Sequence, residues 1–335
     1  MTMEEEPIEN IRESSRNLLV LNRRKHRDEV ADVGRSMISL RTNSDTVTFI
    51  ARKLKSKATV TAPELHTLKN AFMDDAINIE VVLHTQGALR GLVREMTGHE
   101  VNKQCAALGC FCNLALGDSK TCVILAKAAG PYLIPALDNM SAELAVTSAW
   151  TLGNLAGSGE KACELLAAQG SVAKFIELLL SNNEETRDSV LYALAHFCYQ
   201  LRDDLKPEHL QKLLTILPAL RIVSSAHLLF ILSCHRNFTN HFLFEEFILK
   251  TLRYISVSIE KSVENPNIVH LFRFIANLNS REVFRIYLNY FSKNKKVDVL
   301  KKLLETDNVN DSVLWFLGNA YKCCSDHELF EMLLK

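Results

Sequence analysis

A beat of about 42 residues runs through this chain and constrains its fold more than any other feature. Asn113, Asn154 and His196 follow one another at 41 and 42 residues, and each closes a helix-like stretch of small and apolar residues. Those stretches read Gln104-Cys-Ala-Ala-Leu-Gly-Cys-Phe-Cys-Asn113, Ala145-Val-Thr-Ser-Ala-Trp-Thr-Leu-Gly-Asn154 and Arg187-Asp-Ser-Val-Leu-Tyr-Ala-Leu-Ala-His196. A fourth, Asn310-Asp-Ser-Val-Leu-Trp-Phe-Leu-Gly-Asn319, is reached through a weaker continuation at Cys234 and Asn277. Upstream, Asn70 lies 43 residues before Asn113, and Gly87, Gly130 and Gly170 keep the same time, each ahead of an apolar helix-like run. A helical unit of that size cannot bury its apolar face alone, so neighbours must stack into one continuous core. The expected fold is all-α, a solenoid of about six to seven repeats.

Composition agrees with this and removes alternatives. Glycine and proline number 12 and 7 in 335 residues, too few for the tight turns of an all-β fold. With 47% hydrophobic and 23% charged residues, the chain can build a core and is not generally disordered. Lys plus Arg equals Asp plus Glu at 39 each, so bulk charge gives no attraction to nucleic acid or anionic membrane. No apolar run reaches the ~18 residues of a membrane span, so no membrane partner is expected. Nine cysteines behind the acidic start MTMEEEPIEN, with no apolar leader, point to a reducing intracellular setting and free thiols.

The segment Ser148-Ala-Trp-Thr-Leu-Gly-Asn-Leu-Ala-Gly157 resembles the third helix of an armadillo repeat of the importin-α class, and Trp315-Phe-Leu-Gly-Asn319 repeats its Trp-x-x-x-Asn spacing. The resemblance spans residues 60–322 and implies a right-handed armadillo (ARM/HEAT-like) solenoid. It also implies a concave groove in which Asn amides clamp the backbone of an extended basic peptide and indoles stack on its Lys or Arg stems. The chemistry is sound in itself. Residues at i and i+4 share a helix face, an Asn offers both a donor and an acceptor, and an indole offers a π face to a cation. The expected peptide-groove residues are Asn113, Trp150, Asn154, Tyr192, His196, Asn277, Trp315 and Asn319. The sequence also departs from the pattern: the Trp position is Gly109, Tyr192 and Arg273 in other repeats, His196 replaces the Asn, and Ser158 stands where an acidic residue is expected. Core packing at helix contacts is the alternative reading of the same ladder.

Residues 1–57 read as a separate basic arm, ahead of a solenoid over residues 58–335. From Arg12 to Lys57 there are twelve Lys and Arg against five Asp and Glu, densest at Arg23, Arg24, Lys25 and Arg27. By resemblance this is a carrier-binding arm for importin-β. A solvated tail and direct nucleic-acid contact are the alternatives, and the arm's charge also permits it to fold over the groove.

Other constellations are weaker. Cys110, Cys112, Cys105 and Cys122 fall among apolar residues within helices and read as packed thiols. Cys234, His235 and His241 lack a fourth ligand by spacing. Gly157-Ser-Gly-Glu-Lys161 lacks the Gly-Lys-Ser/Thr of a phosphate loop, and no catalytic motif is present, so neither a cofactor, a metal nor an enzyme is expected. Aromatic and basic residues interleave over 272–302, which reads as a solvated helix face or, less simply, as an RNA-stacking surface. The expected function is a peptide- or protein-binding adaptor, a divergent import receptor in cytoplasm and nucleus, with a non-transport scaffold and an RNA-associated repeat as alternatives.

Overall fold

The computed structural model describes residues 44–238, 245–260, 267–278, 280–293, 297–305 and 309–323. It is all-α, with no strand among the described residues, and divides at Leu201 and Arg202 into two compact units, each built from stacked helices as in a solenoid.

Unit one contains α1 (Ser44–Ser56), α2 (Ala62–Asp74), α3 (Ala76–His84), α4 (Ala88–Met96), α5 (Val101–Leu114), α6 (Ser119–Ala136), α7 (Ala142–Gly157), α8 (Glu160–Ala168), α9 (Ser171–Leu178) and α10 (Glu184–Leu201). The longer helices α2, α5, α7 and α10 stack in that order, while α1, α4, α6 and α8 form a second row. Local signals fix the ends. Thr61 and Glu64 form a reciprocal capping box that opens α2, and Gly87 and Gly170 open α4 and α9 at φ of 91° and 93°. Residues with a Cβ resist that left-handed backbone, which explains glycine at both positions.

Gly130 behaves differently from its two partners in the beat. Helix α6 runs through it and through Pro131 and Pro135, so no break occurs there. Its glycine answers to packing instead: a Cβ would run into Gln169 and Leu166.

The first described helix lies inside the span read as the arm. In α1, Val47, Ile50, Ala51 and Leu54 recur at helical spacing and are at most 1% exposed. They pack on α3 and α4, so residues 44–56 belong to the packed core of unit one. Lys53 pairs with Glu64 at 2.6 Å across that junction. The arm residues Arg23, Arg24, Lys25 and Arg27 lie outside the described residues.

Unit two contains α11 (Pro207–Ile216), α12 (Ile222–Ser233), α13 (Glu245–Glu260), α14 (Asn267–Asn277), α15 (Arg281–Lys293), α16 (Val297–Leu304) and α17 (Asn310–Cys323). Here α12, α14 and α17 stack in order, with α13, α15 and α16 behind them. The core is aromatic. Phe316 is ringed by Phe272, Phe284 and Tyr287 at centroid distances of 5.6 to 5.8 Å. Phe272, Phe274, Phe284, Tyr287 and Phe291 are all at most 1% exposed. These five aromatic residues therefore serve the interior, and Tyr290 is half-buried.

Candidate functional site

The ladder predicted from the 42-residue beat falls on the longer helices of each unit. In unit one it comprises Asn113 on α5, Asn154 on α7 and His196 on α10. In unit two it comprises Cys234 just after α12, Asn277 on α14 and Asn319 on α17.

Asn113, Asn154, Asn277 and Asn319 each reach back to the preceding repeat. Asn113 Nδ2 donates to the Lys69 carbonyl at 2.8 Å, and Asn319 Nδ2 to the Ala276 carbonyl at 2.9 Å. Asn277 Nδ2 donates to Ser233 Oγ at 2.8 Å and to Cys234 Sγ at 3.3 Å. Asn154 Nδ2 points to Cys112 Sγ at 3.7 Å. Lys69, Cys112, Ser233 and Ala276 all stand one residue before the preceding ladder position. The amides thus couple successive repeats, a use the spacing alone did not reveal. Asn113, Asn277 and Asn319 are half-buried; Asn113 and Asn319 keep their second N–H and their Oδ1 without a partner among the described residues, whereas both N–H groups of Asn277 are engaged.

Asn154 and His196 depart from the expected clamp. Tyr192 donates its hydroxyl to Asn154 Oδ1 at 2.7 Å, and Asn154 is only 3% exposed. His196 is 2% exposed and lies edge-on to Tyr192 at 4.6 Å. The cause is in α7, where Gly153 and Gly157 lie one turn apart and face α10. A Cβ at Gly153 would sit 2.9 Å from the Tyr192 ring and 3.0 Å from Ala193 Cα. One at Gly157 would sit 2.6 Å from His196 Nδ1. Two missing side chains let α10 close over α7, and that closure seals the amide and the imidazole.

The aromatic position, four residues before the ladder residue, varies between repeats, with Trp at only two of the six. At Gly109 the stem of Lys69 takes the space, since a Cβ would meet Lys69 Cδ at 2.7 Å. Trp150 and Tyr192 lie against each other with centroids 4.0 Å apart, and both stay half-buried. In unit two the position holds Phe230, Arg273 and Trp315. The Arg273 guanidinium lies 5.8 Å from the centre of the Phe230 ring, and Trp315 is half-buried.

Two residues that the sequence reading passed over complete the face of unit one. Glu143 and Glu185 each lie seven residues before an aromatic, Trp150 and Tyr192 respectively, and both are exposed. Seven residues are two helical turns, so each acid shares a face with its aromatic. The charge of Glu143 is felt on α2 and α5. It raises the Cys105 thiol pKa after burial has done most of that work. It also partly offsets burial, the larger cause, and Lys69 in lowering His66. The repeat of acid and aromatic at 42 residues was the signal that could have revealed both.

Among the described residues, no group of three or more His, Cys, Asp or Glu is placed to hold a metal, and His241 lies outside them. Among the described residues too, no helix is long and apolar enough to cross a membrane.

Among solved structures, the chain is similar to the crystal structure of an engineered protein at 18% identity and a TM-score of 0.61, covering 82% of this chain and 68% of the other. That likeness speaks to fold alone. A designed armadillo repeat protein overlaps more loosely, at 16% identity and a TM-score of 0.49, over 82% and 99% of the two chains. So does a designed armadillo repeat protein in complex with the peptide (KR)4, at 17% identity and 0.47, over 82% and 99%. Nothing rests on these two overlaps. No family model and no curated protein matches the sequence.

Proposed function

We propose that this chain is a protein-interaction adaptor that holds an extended, basic segment of a partner on the α5–α7–α10 face of unit one. The observation that carries this reading is the paired arrangement of Glu143 with Trp150 and Glu185 with Tyr192 on one face. A Lys or Arg stem lying over the ring pair would gain apolar contact and a cation–π term of about 0.5–1 kcal/mol at such half-exposed sites. The carboxylates then meet its charge. Asn113 offers a donor and an acceptor to the segment's backbone.

The finer form of the proposal is an importin-α-like import receptor, moving between cytoplasm and nucleus. It would bind importin-β through Arg23, Arg24, Lys25 and Arg27. Within that class, Thr151-Leu-Gly-Asn-Leu155 and Ala168-Ala-Gln-Gly170 are similar to transmembrane and coiled-coil domain-containing protein 6. A non-transport scaffold is the second reading. It is favoured by Asn154 and His196, both of which are buried inside the protein and closed to a partner's backbone.

Two measurements separate these. Binding of a labelled Lys/Arg-rich peptide to the full chain should weaken at least about tenfold in Trp150→Ala. It should weaken in Glu143→Gln/Glu185→Gln too, whose exposed sites leave folding intact. Equal binding of an acidic peptide would sink the basic-segment reading. Capture of importin-β by the parent, lost when the four arm cations become Ala, supports transport; no capture by either leaves the scaffold.

A further inference from the structure

Three groups that carry or accept a positive charge meet inside unit two. His227 on α12 and His270 on α14 occupy the same position in successive repeats, seven residues before Cys234 and Asn277. Their rings stack with centroids 4.2 Å apart and planes 17° from parallel, and Phe230 lies beyond His270 at 6.1 Å. Arg273, one turn on from His270, donates from Nε to Ser312 Oγ on α17 at 3.2 Å. His270 is 2% exposed and Arg273 6%. His227 Nε2 and His270 Nδ1 are sealed from solvent and have no hydrogen-bond partner among the described residues.

Two neutral imidazoles can stack face to face at this distance. A proton on either would create a buried cation with a second ring against it, a guanidinium one turn away, and no acceptor at the sealed nitrogens. We propose that the His227–His270 stack is an acid-sensitive latch, holding α12, α14 and α17 in register only while both imidazoles are neutral. The proposal does not rest on the peptide-binding reading, although the row it holds carries Asn277, Trp315 and Asn319.

The surrounding charges favour the neutral state. The charged neighbour of both imidazoles is Arg273 on α14, which is itself acted on by Asp311 on α17 and by Cys234 just after α12. On α13, Glu245, Glu246, Lys250 and Arg253 are exposed to solvent. Burial first, then Arg273, pushes His227 down to about 4. Burial, then His227 and Arg273, holds His270 well below its ordinary value of 6.5. Both groups are thus depressed bases, and the unfolded chain takes their protons first. Stability is full above about pH 6.5 and is lost as pH falls toward 4.

The chain contains two tryptophans, one in each unit, which makes the test direct. In the full chain, Trp150→Phe leaves Trp315 as the reporter of unit two. Between pH 7.5 and pH 5, urea titration followed by Trp315 should show the folded-to-unfolded ratio fall about 30-fold for each imidazole held neutral. Adding His227→Phe, which keeps a stacked ring, should remove about 30-fold of that fall. A fall below about threefold, or one unchanged by His227→Phe, overturns the latch. A second measurement does not depend on how variants fold. NMR of the parent labelled at histidine Cε1 should show two imidazoles that do not titrate between pH 7.5 and pH 5.5, one of them missing in His227→Phe. Ordinary titration of both near pH 6.5 overturns the proposal.

Discussion

Four residues before the ladder, unit one places Gly109, Trp150 and Tyr192, whereas unit two places Phe230, Arg273 and Trp315. The backbone frame is shared and the chemistry is not. In unit one the ring pair is half-buried with two carboxylates outside it, and the glycines of α7 carry the neighbouring helix inward. In unit two a cation takes the aromatic position, turned inward over Phe230 beside two imidazoles. A stacked-helix frame settles where a side chain stands in each repeat, and the partners brought by the next helix settle what that side chain can do.

The largest expected contrast between the units is with pH. From pH 7.5 to pH 5, unit two should lose on the order of 2 kcal/mol for each of His227 and His270, read by Trp315. Unit one, read by Trp150 in Trp315→Phe, should lose less, through His66, whose lowering by burial and Lys69 is partly offset by Glu143. Equal losses would erase the contrast. Next comes Gly153→Ala, where the obstructing atoms include the Ala193 backbone. It should cost unit one about 1–3 kcal/mol in urea despite the better helix propensity of alanine. A neutral or stabilising result would mean that α10 is held less closely than described.

Asn154→Ala strips the Tyr192 hydroxyl of its acceptor and should cost about 1–2 kcal/mol. Asn113→Ala and Asn319→Ala each lose a single bond to a carbonyl and should cost about 1 kcal/mol, one in each unit. If Asn113→Ala proved free of cost, its amide would be reserved for a ligand and not for coupling. Smallest in stability is Glu143→Gln/Glu185→Gln, within about 0.5 kcal/mol because both sites are exposed. Its effect should instead appear as weaker, less salt-dependent binding of a basic peptide.

The helical class and the ladder were legible because a 42-residue beat in apolar stretches has few physical solutions. Other features were hidden for identifiable reasons. In residues 44–56 the cations Arg52, Lys53 and Lys55 drew the eye to net charge, while Val47, Ile50, Ala51 and Leu54 already spelled a buried helix face. Gly130 matched Gly87 and Gly170 in spacing, yet its glycine serves close packing and not a turn. The spacing of Asn113 and Asn154 gave their helix face but not the direction of their amides, because that depends on the preceding repeat. The sealing of Asn154 and His196 did have a sequence signal, the Gly153-x-x-x-Gly157 pair, which matters only once a neighbouring helix is known to lie against it.

The acceptors at Lys69 and Ala276 are main-chain carbonyls. A carbonyl is supplied by any amino acid, so Lys69 or Ala276 can change without cutting the tie to the following repeat. Copies made by duplication could therefore drift apart in wording at such a position while keeping their spacing and their join. Lys69 and Ala276 have that character, each receiving an asparagine on its carbonyl, whereas Cys112 and Ser233 accept through Sγ and Oγ and are tied to their identity.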